Sequence, residues 1–442
     1  MKRREFIKTA AAAAASVPIG YAYGQNAPSE RVRVAVMGCH AKGRGFSLLR
    51  TLLGVPGVEV ATVCDVDTRA LDAASEAVLK KSGKAPKKEK DIRRVLEDKN
   101  IDGVLCAAPD HWHAPAALMT MQAGKSIYVE KPCSFNPGEG EILVEAAAKY
   151  KAIFQMGNQR RASDVFMEVV KEIHGGLIGA PRFARCWYAS RRSPIGKGKT
   201  VAPPDWLDWE LWQGPAPRRP YLDNVVHYNW HWFYHWGTGE SGNNAPHFVD
   251  VARWALKAVF PNRVTGSGGR LFHEGDDWQW FDTQTATFEF PGNLLITWEG
   301  LSSVNARPYE NLSTGCAIYG LNGVVLFRPN DTCALFDSKG KLVREWNAAN
   351  LAGDPTDRAN PTGNLDGAHL GDWVRCIRDK DVKTRTPADE SHASILLTHL
   401  ANLAARTGES IKLDPATGKL AKGSAGAELW HREYEKGWEM KV

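Results

Sequence analysis

Between Val32 and Met156 short apolar runs alternate with amphipathic stretches, and this alternation constrains the fold more than any other feature of the chain. The runs are Val32–Met37, Val58–Cys64, Gly103–Ala107, Ser126–Val129 and Ile153–Met156. Helical candidates lie between them near Gly45–Leu53, Thr68–Lys80, Asp91–Lys99, Ala114–Ala123 and Glu139–Tyr150. Strands separated by helices of this length need right-handed crossovers, which build a parallel, doubly wound sheet. Such sheets bind ligands at the carboxyl ends of their strands, where a phosphate can meet a helix N-terminus.

The strand ends carry the residues such a site requires. The first strand runs into Gly38-Cys-His40-Ala-Lys-Gly43-Arg44-Gly45. Gly38 can make the tight turn, and Gly43 and Gly45 allow close helix packing, while His40 stands where the usual G-x-G-x-x-G loop has its middle glycine. Arg44 opens the following helix. The second strand ends in Asp65, spaced to accept hydrogen bonds from ribose hydroxyls and to repel a 2′-phosphate, so NAD is expected rather than NADP.

Beyond residue 180 the pattern changes. Runs at Thr285–Phe290, Leu294–Glu299, Cys316–Tyr319 and Val324–Phe327 follow one another through Gly-containing turns without helices between them. This implies a second α/β domain with an open, mostly antiparallel sheet. The fold class is therefore α/β, with an N-terminal Rossmann-like doubly wound sheet and a C-terminal substrate domain. The expected boundaries are 30–155 and 156–415, with a tail at 416–442. No apolar run reaches the roughly 18–20 residues of a membrane-spanning helix.

Residues 1–24 read as an export signal. Arg3-Arg4 precede Phe6-Ile7-Lys8 and a mildly apolar alanine stretch, the form of a twin-arginine address that carries folded proteins to the periplasm. Without Lys2, Arg3, Arg4, Lys8 and Glu5 the chain has 52 basic and 49 acidic residues, a net of +3 instead of +6. That near balance excludes a polyanionic partner, and the lysines of 80–90 read as a solvated connection rather than a nucleic-acid surface. The eight Cys show no CxxC and no zinc spacing, so free buried thiols are expected.

Two further strand ends are more specific. One reads Pro109-Asp-His-Trp-His113, the next Glu130-Lys131-Pro132. Together with Met156-Gly-Asn158-Gln159-Arg160, Gly237-Thr-Gly-Glu240 and Asn243-Asn-Ala-Pro-His247-Phe-Val-Asp250, these resemble the glucose–fructose oxidoreductase/inositol dehydrogenase (Gfo/Idh/MocA) family over roughly residues 30–415. The resemblance implies a tightly bound NAD and a homo-oligomer, dimer or tetramer. Lys131 would hydrogen-bond the reacting hydroxyl, aimed by a turn at Pro132, and His247 would act as acid/base. Pro109, His113, Glu130, Asn158 and Gln159 would line the cofactor side. Asn243 stands where the family pattern often has an acid, so His247 would rely on Lys131, Asp250 or water for its proton.

The tryptophans concentrate at Trp206, Trp209, Trp212, Trp230, Trp232 and Trp236. Most are expected to pack in a core, while one or two, with Tyr228 and His231, could meet a sugar ring. His227, His231 and His235 share a four-residue spacing, but the surrounding Trp and Asn argue against a regular helix, and no metal is expected. The expected function is hydride transfer between NAD and a ring carbinol of a carbohydrate. The alternative is redox-neutral glycoside cleavage, as the family's NAD-dependent α-N-acetylgalactosaminidases perform it. A non-catalytic sugar-binding protein is the third reading.

Overall fold

A computed structural model describes residues 31–304, 307, 309–351, 364–380 and 383–442. The export signal expected at 1–24 lies outside them.

The first sheet consists of β1 (Val32–Met37), β2 (Val58–Cys64), β3 (Lys87–Glu89), β4 (Gly103–Cys106), β5 (Ser126–Val129) and β6 (Phe154–Met156). Its order is β3-β2-β1-β4-β5-β6, all parallel, with the order reversing beside β1. The central strands are buried on both faces, which is why they read as continuous apolar runs. β3 has no such signature. It is a Lys-Lys-Glu edge strand within the stretch read as a solvated connection, and its charges suit an edge that must not pair further. Lys84 and Lys88 there are tied to Glu59 and Asp72 on the surface.

Helix Asp110–Gln122 begins four residues before the expected Ala114. Asp110, His111, Trp112 and His113 form its first turn and are all buried, so this helix shows no polar face to mark its start.

The second sheet has nine strands in the order β14-β13-β12-β11-β7-β10-β9-β8-β15. These are β7 (Pro181–Ala189), β8 (Arg263–Gly269), β9 (Thr283–Phe290), β10 (Leu294–Leu301), β11 (Thr314–Gly320), β12 (Gly323–Arg328), β13 (Thr332–Asp337), β14 (Leu342–Trp346) and β15 (Ile411–Lys412). Only β7 and β10 pair in parallel. Alternate residues such as Ala286, Phe288, Ile296 and Trp298 enter one core with helices Pro246–Leu256 and Ala388–Thr407.

The chain beyond residue 156 also covers the first sheet. Helix Leu365–Asp379 sets Leu370, Trp373, Val374 and Ile377 among β1, β2 and helix Arg44–Leu52. Trp438, Met440 and Val442 pack on the opposite side of that sheet. All eight Cys are buried thiols.

Several buried histidines make this fold sensitive to acid. Burial holds His369 and His399 at about 3 and His392 at about 4, against about 6.5 in an unfolded chain. Between those values the unfolded chain takes up protons that the folded chain refuses. Stability is therefore complete above about pH 6.5 and is lost as pH falls toward 4. Melting temperatures should hold level above about pH 7 and drop steadily between about pH 6 and 4. A His392→Gln variant should show a shallower drop, and an unchanged slope would contradict this.

Candidate active site in a cleft between the two sheets

The carboxyl ends of β1, β2, β4 and β5 open into a single cavity of about 450 Å³, closed on its other side by residues of the second domain. The glycine loop forms its floor. Gly38 adopts φ +81°, and a Cβ there would lie 2.6 Å from the Ala107 carbonyl oxygen. A Cβ on Gly45 would lie 1.7 Å from the Gly38 carbonyl oxygen, so the helix can approach the turn only as glycine. Gly43 donates its N–H to the His40 carbonyl at 2.7 Å, tightening the loop. The His40 side chain stacks on His227, with centroids 3.9 Å apart. The missing middle glycine is accommodated in this way.

Asp65 lines the cavity at the end of β2. Its carboxylate accepts N–H groups from Cys39 (2.6 Å) and Asp67 (3.0 Å). Burial nonetheless raises its pKa to about 6, so a hydroxyl ligand that rehydrates the carboxylate would be welcome there. Arg44 reaches across the loop to Glu130 (2.9 Å) and to both oxygens of Asp366 (2.7 and 2.6 Å). Glu130 also accepts the Lys131 N–H at 3.1 Å. Pro109 and Gln159 line the cavity as well, the Gln159 Oε1 buried without a hydrogen-bond partner among the described residues. His113 donates Nδ1–H to the Pro132 carbonyl at 2.7 Å, which leaves its buried Nε2 as an unused acceptor in the cavity wall. A glycine cradle, a helix N-terminus, a strand-end acid and unused polar atoms together fit a dinucleotide.

Lys131 projects from the end of β5, and its peptide bond to Pro132 is cis. Its Nζ donates to the Asn243 carbonyl (2.6 Å) and to Asn243 Oδ1 (3.1 Å). Burial lowers its pKa, with Glu130 and Asp110 opposing that effect. His247 lines the same cavity from the start of helix Pro246–Leu256. Burial, then the positive charges of Lys131, Arg160 and Arg44, hold it well below the ordinary histidine value, so it is neutral near pH 7.

Three of the expected residues lie elsewhere. Asp250 is not in the cavity. It is buried in a bidentate pair with Arg161 (2.8 Å each) and accepts from Ser394, so it cannot relay a proton for His247. Asn158 is buried beside β6 outside the cavity lining. Trp232 is 1% exposed and stacked on Trp278, one layer behind the wall.

Tyr228 and His231 do reach the cavity, joined by Arg192 and Asn244, which sequence reasoning missed. Arg192 pairs with Glu240 (2.6 and 3.1 Å) and donates to the Tyr228 hydroxyl (2.7 Å). His231 donates Nδ1–H to the Tyr228 carbonyl at 2.6 Å, and burial holds it at about 3. Glu240 also accepts from Asn243 Nδ2, Asn244 and Ser302. This buried acid therefore stands behind the Asn243 amide and turns its oxygen toward Lys131. Its position was visible in the Gly237–Glu240 motif, but its partners were not.

His227, His231 and His235 diverge, the last donating to the Pro217 carbonyl. Among the described residues, His40, Asp67 and His227 form the one group of three metal-capable donors, all within 4.8 Å of one another. Asp67 there is already engaged by the Arg69 guanidinium (2.8 and 3.1 Å) and lies 2.9 Å from His227 Nε2.

Comparison with known proteins accords with this cleft. Residues 32–158 match the oxidoreductase family with an NAD-binding Rossmann fold, GFO_IDH_MocA. A glycosyl hydrolase family 109 protein of Saccharopolyspora erythraea is 30% identical over 254 residues, 50% of this chain and 55% of that relative. The chain thus spans about half the length of that relative. An alpha-N-acetylgalactosaminidase of Shewanella oneidensis is 26% identical over 392 residues, 78% of this chain and 77% of its own. A levoglucosan dehydrogenase in complex with NADH superposes with a TM-score of 0.66 at 15% identity, over 87% of this chain and 99% of that one, a likeness of fold. Residues 32–158 thus resemble the NAD-binding Rossmann domain of that oxidoreductase family.

Proposed function

We propose that the protein is an NAD-dependent oxidoreductase acting at a ring carbinol of a sugar, sugar derivative or glycoside, and that it keeps its cofactor through turnover. The observation that carries this reading is the meeting of Lys131 and His247 in one cavity with the glycine loop and Asp65. NAD supplies the hydride acceptor there when bound. An ammonium has three donors, and Asn243 occupies two on Lys131, leaving the third for a substrate hydroxyl. Polarised by that bond, the hydroxyl can pass its proton to the neutral imidazole of His247. Asn243 accepts no proton; Glu240 fixes its orientation, and it in turn holds Lys131 in place. Arg192, Tyr228 and His231 offer donors and acceptors to the remaining hydroxyls.

The pairing of Arg3-Arg4 with a mild alanine stretch supports export to the periplasm in the folded state. NAD would then have to travel inside the protein and return to its starting state after every cycle. Two sugars exchanging a hydride in turn would achieve this. Redox-neutral glycoside cleavage would do so as well, and the relatives of glycosyl hydrolase family 109 favour that second reading. In that case oxidation at C3 acidifies the C2 proton, whose removal expels the C1 substituent. Water then adds at C1, and the hydride returns to C3. We further propose a homo-oligomer, which light scattering would size.

Purified exported protein should release a stoichiometric nicotinamide nucleotide on denaturation, and a nucleotide-free preparation would contradict the proposal. Screening then separates the readings. Release of an aglycone without net redox change indicates glycoside cleavage, and a free ketosugar with reduction of added NAD indicates a simple dehydrogenase. Lys131→Ala should keep the nucleotide and lose about 10²–10⁴ in turnover; full turnover in the variant would exclude Lys131 from the proposed mechanism.

The pH profile offers a second check. The acid limb of kcat/KM should lie below about pH 6.5 because His247 stays neutral there. The alkaline limb should fall before about pH 10.4, as the lowered lysine loses its proton. His247→Gln should abolish the acid limb, and a limb that persists in the variant would exclude His247 as its source.

A further inference from the structure

The tryptophan-rich segment ahead of helix Gly239–Asn244 does more than wall a sugar pocket. Its backbone is joined to the first sheet two residues beyond Asp65. Leu207 bridges Asp67 in antiparallel fashion, Thr68 donates N–H to the Trp206 carbonyl, and Asp208 donates to the Val66 carbonyl, both at 3.0 Å. Further along, the Trp212 carbonyl accepts from His111 Nε2 and Trp112 Nε1, both at 2.9 Å. The segment is therefore anchored beside β2 and again beside β4, on either side of the glycine loop that follows β1.

Side chains close the span between these anchors. Arg69 lies 3.4 Å over the Trp206 ring, Trp206 is stacked near His227 at 5.7 Å, and His227 is stacked on His40 at 3.9 Å and 16°. Asp67 is fully buried between the two ends of the row, accepting two hydrogen bonds from Arg69 and lying in ion-pair range of His227 Nε2, 2.9 Å away. Burial resists the charge on Asp67, but the Arg69 hydrogen bonds outweigh it and keep the carboxyl ionised. Burial, with His40 adjacent, holds His227 at about 4, so the two stacked imidazoles do not repel near neutral pH. His40 and His227 line the cavity together with Asp65 and Val66, which form its wall at the end of β2. In a Rossmann domain that wall receives the adenosine ribose.

We propose that this segment is a cofactor-retaining strap, in which His227, clasped by Asp67 and stacked on His40, closes the adenosine end of the cleft so that NAD leaves only when the clasp opens. The strap rests on the reading that NAD occupies this cleft, and it explains how His40 is used rather than merely tolerated. It also assigns Trp209, Trp212 and Trp236 a structural task, since Trp209 stacks on Trp212 and both meet Trp236 edge-on, stiffening the strap.

The test needs no sugar. Protein loaded with NAD and freed of excess is mixed with a trap for released nucleotide, and bound NAD is followed with time. His227→Ala should release NAD at least tenfold faster than the parent, and Trp206→Ala, which removes the neighbouring ring, should do the same. Leu321→Ala, at an exposed position outside the cavity, should release it at the parent rate. Circular dichroism and melting temperature check that each variant is folded. If the parent binds NAD and both strap variants release it within twofold of the parent rate, the strap is wrong while the functional reading stands. If the folded parent binds no NAD, both fall.

Discussion

An ammonium ion is costly to bury, and the site is organised around meeting that cost for Lys131. Burial alone would strip its charge or its order. Two oxygens of a single residue, Asn243, satisfy it instead, and that residue belongs to the other domain. The contact fixes which face of the second domain meets the strand ends of the first. Because helix Pro246–Leu256 follows at once, it also brings His247 to the same cavity. Asn243 holds this position through Glu240, which is itself neutralised by Arg192. A chain of partners therefore runs from Tyr228 through Arg192, Glu240 and Asn243 to Lys131, and one end faces the space open to substrate.

An amide in this place has a chemical consequence. A carboxylate beside Lys131 would raise its pKa and could shuttle a proton to it. Asn243 does neither, so in the proposed reaction Lys131 would polarise a hydroxyl while the neutral His247 would take the proton. Burial, helped by the positive charges of Lys131, Arg160 and Arg44, keeps His247 neutral and hence available as a base. The carboxylate expected to assist it, Asp250, is consumed by Arg161 and helps to hold the fold.

Much of the first domain was legible because its physics is local. Apolar runs buried on both faces mark β1, β2, β4 and β5, and Gly38, Asp65 and Lys131 follow strand ends that open into the cavity, with Gly45 in the helix beyond the first. β3 was illegible because an edge strand of Lys-Lys-Glu carries no apolar signal. The early start of helix Asp110–Gln122 was hidden because a helix buried all round has no periodic face. The strap and the Arg192–Glu240 pair were invisible for another reason. They join residues far apart in the chain through a segment with little regular structure, where neither helix nor strand period constrains a side chain. His227 drew attention only as a possible metal ligand; its partners, Asp67 and His40, lie on the other domain.

If the clasped cleft keeps its nucleotide, one bound NAD must serve many cycles. Counting product molecules per bound nucleotide, with no NAD added, tests this most directly. The account predicts many products per nucleotide, with the near-ultraviolet absorbance of the reduced nicotinamide back at its starting level when substrate is exhausted. Product that stops at one per nucleotide, leaves the nucleotide reduced and resumes only when NAD is added would contradict it.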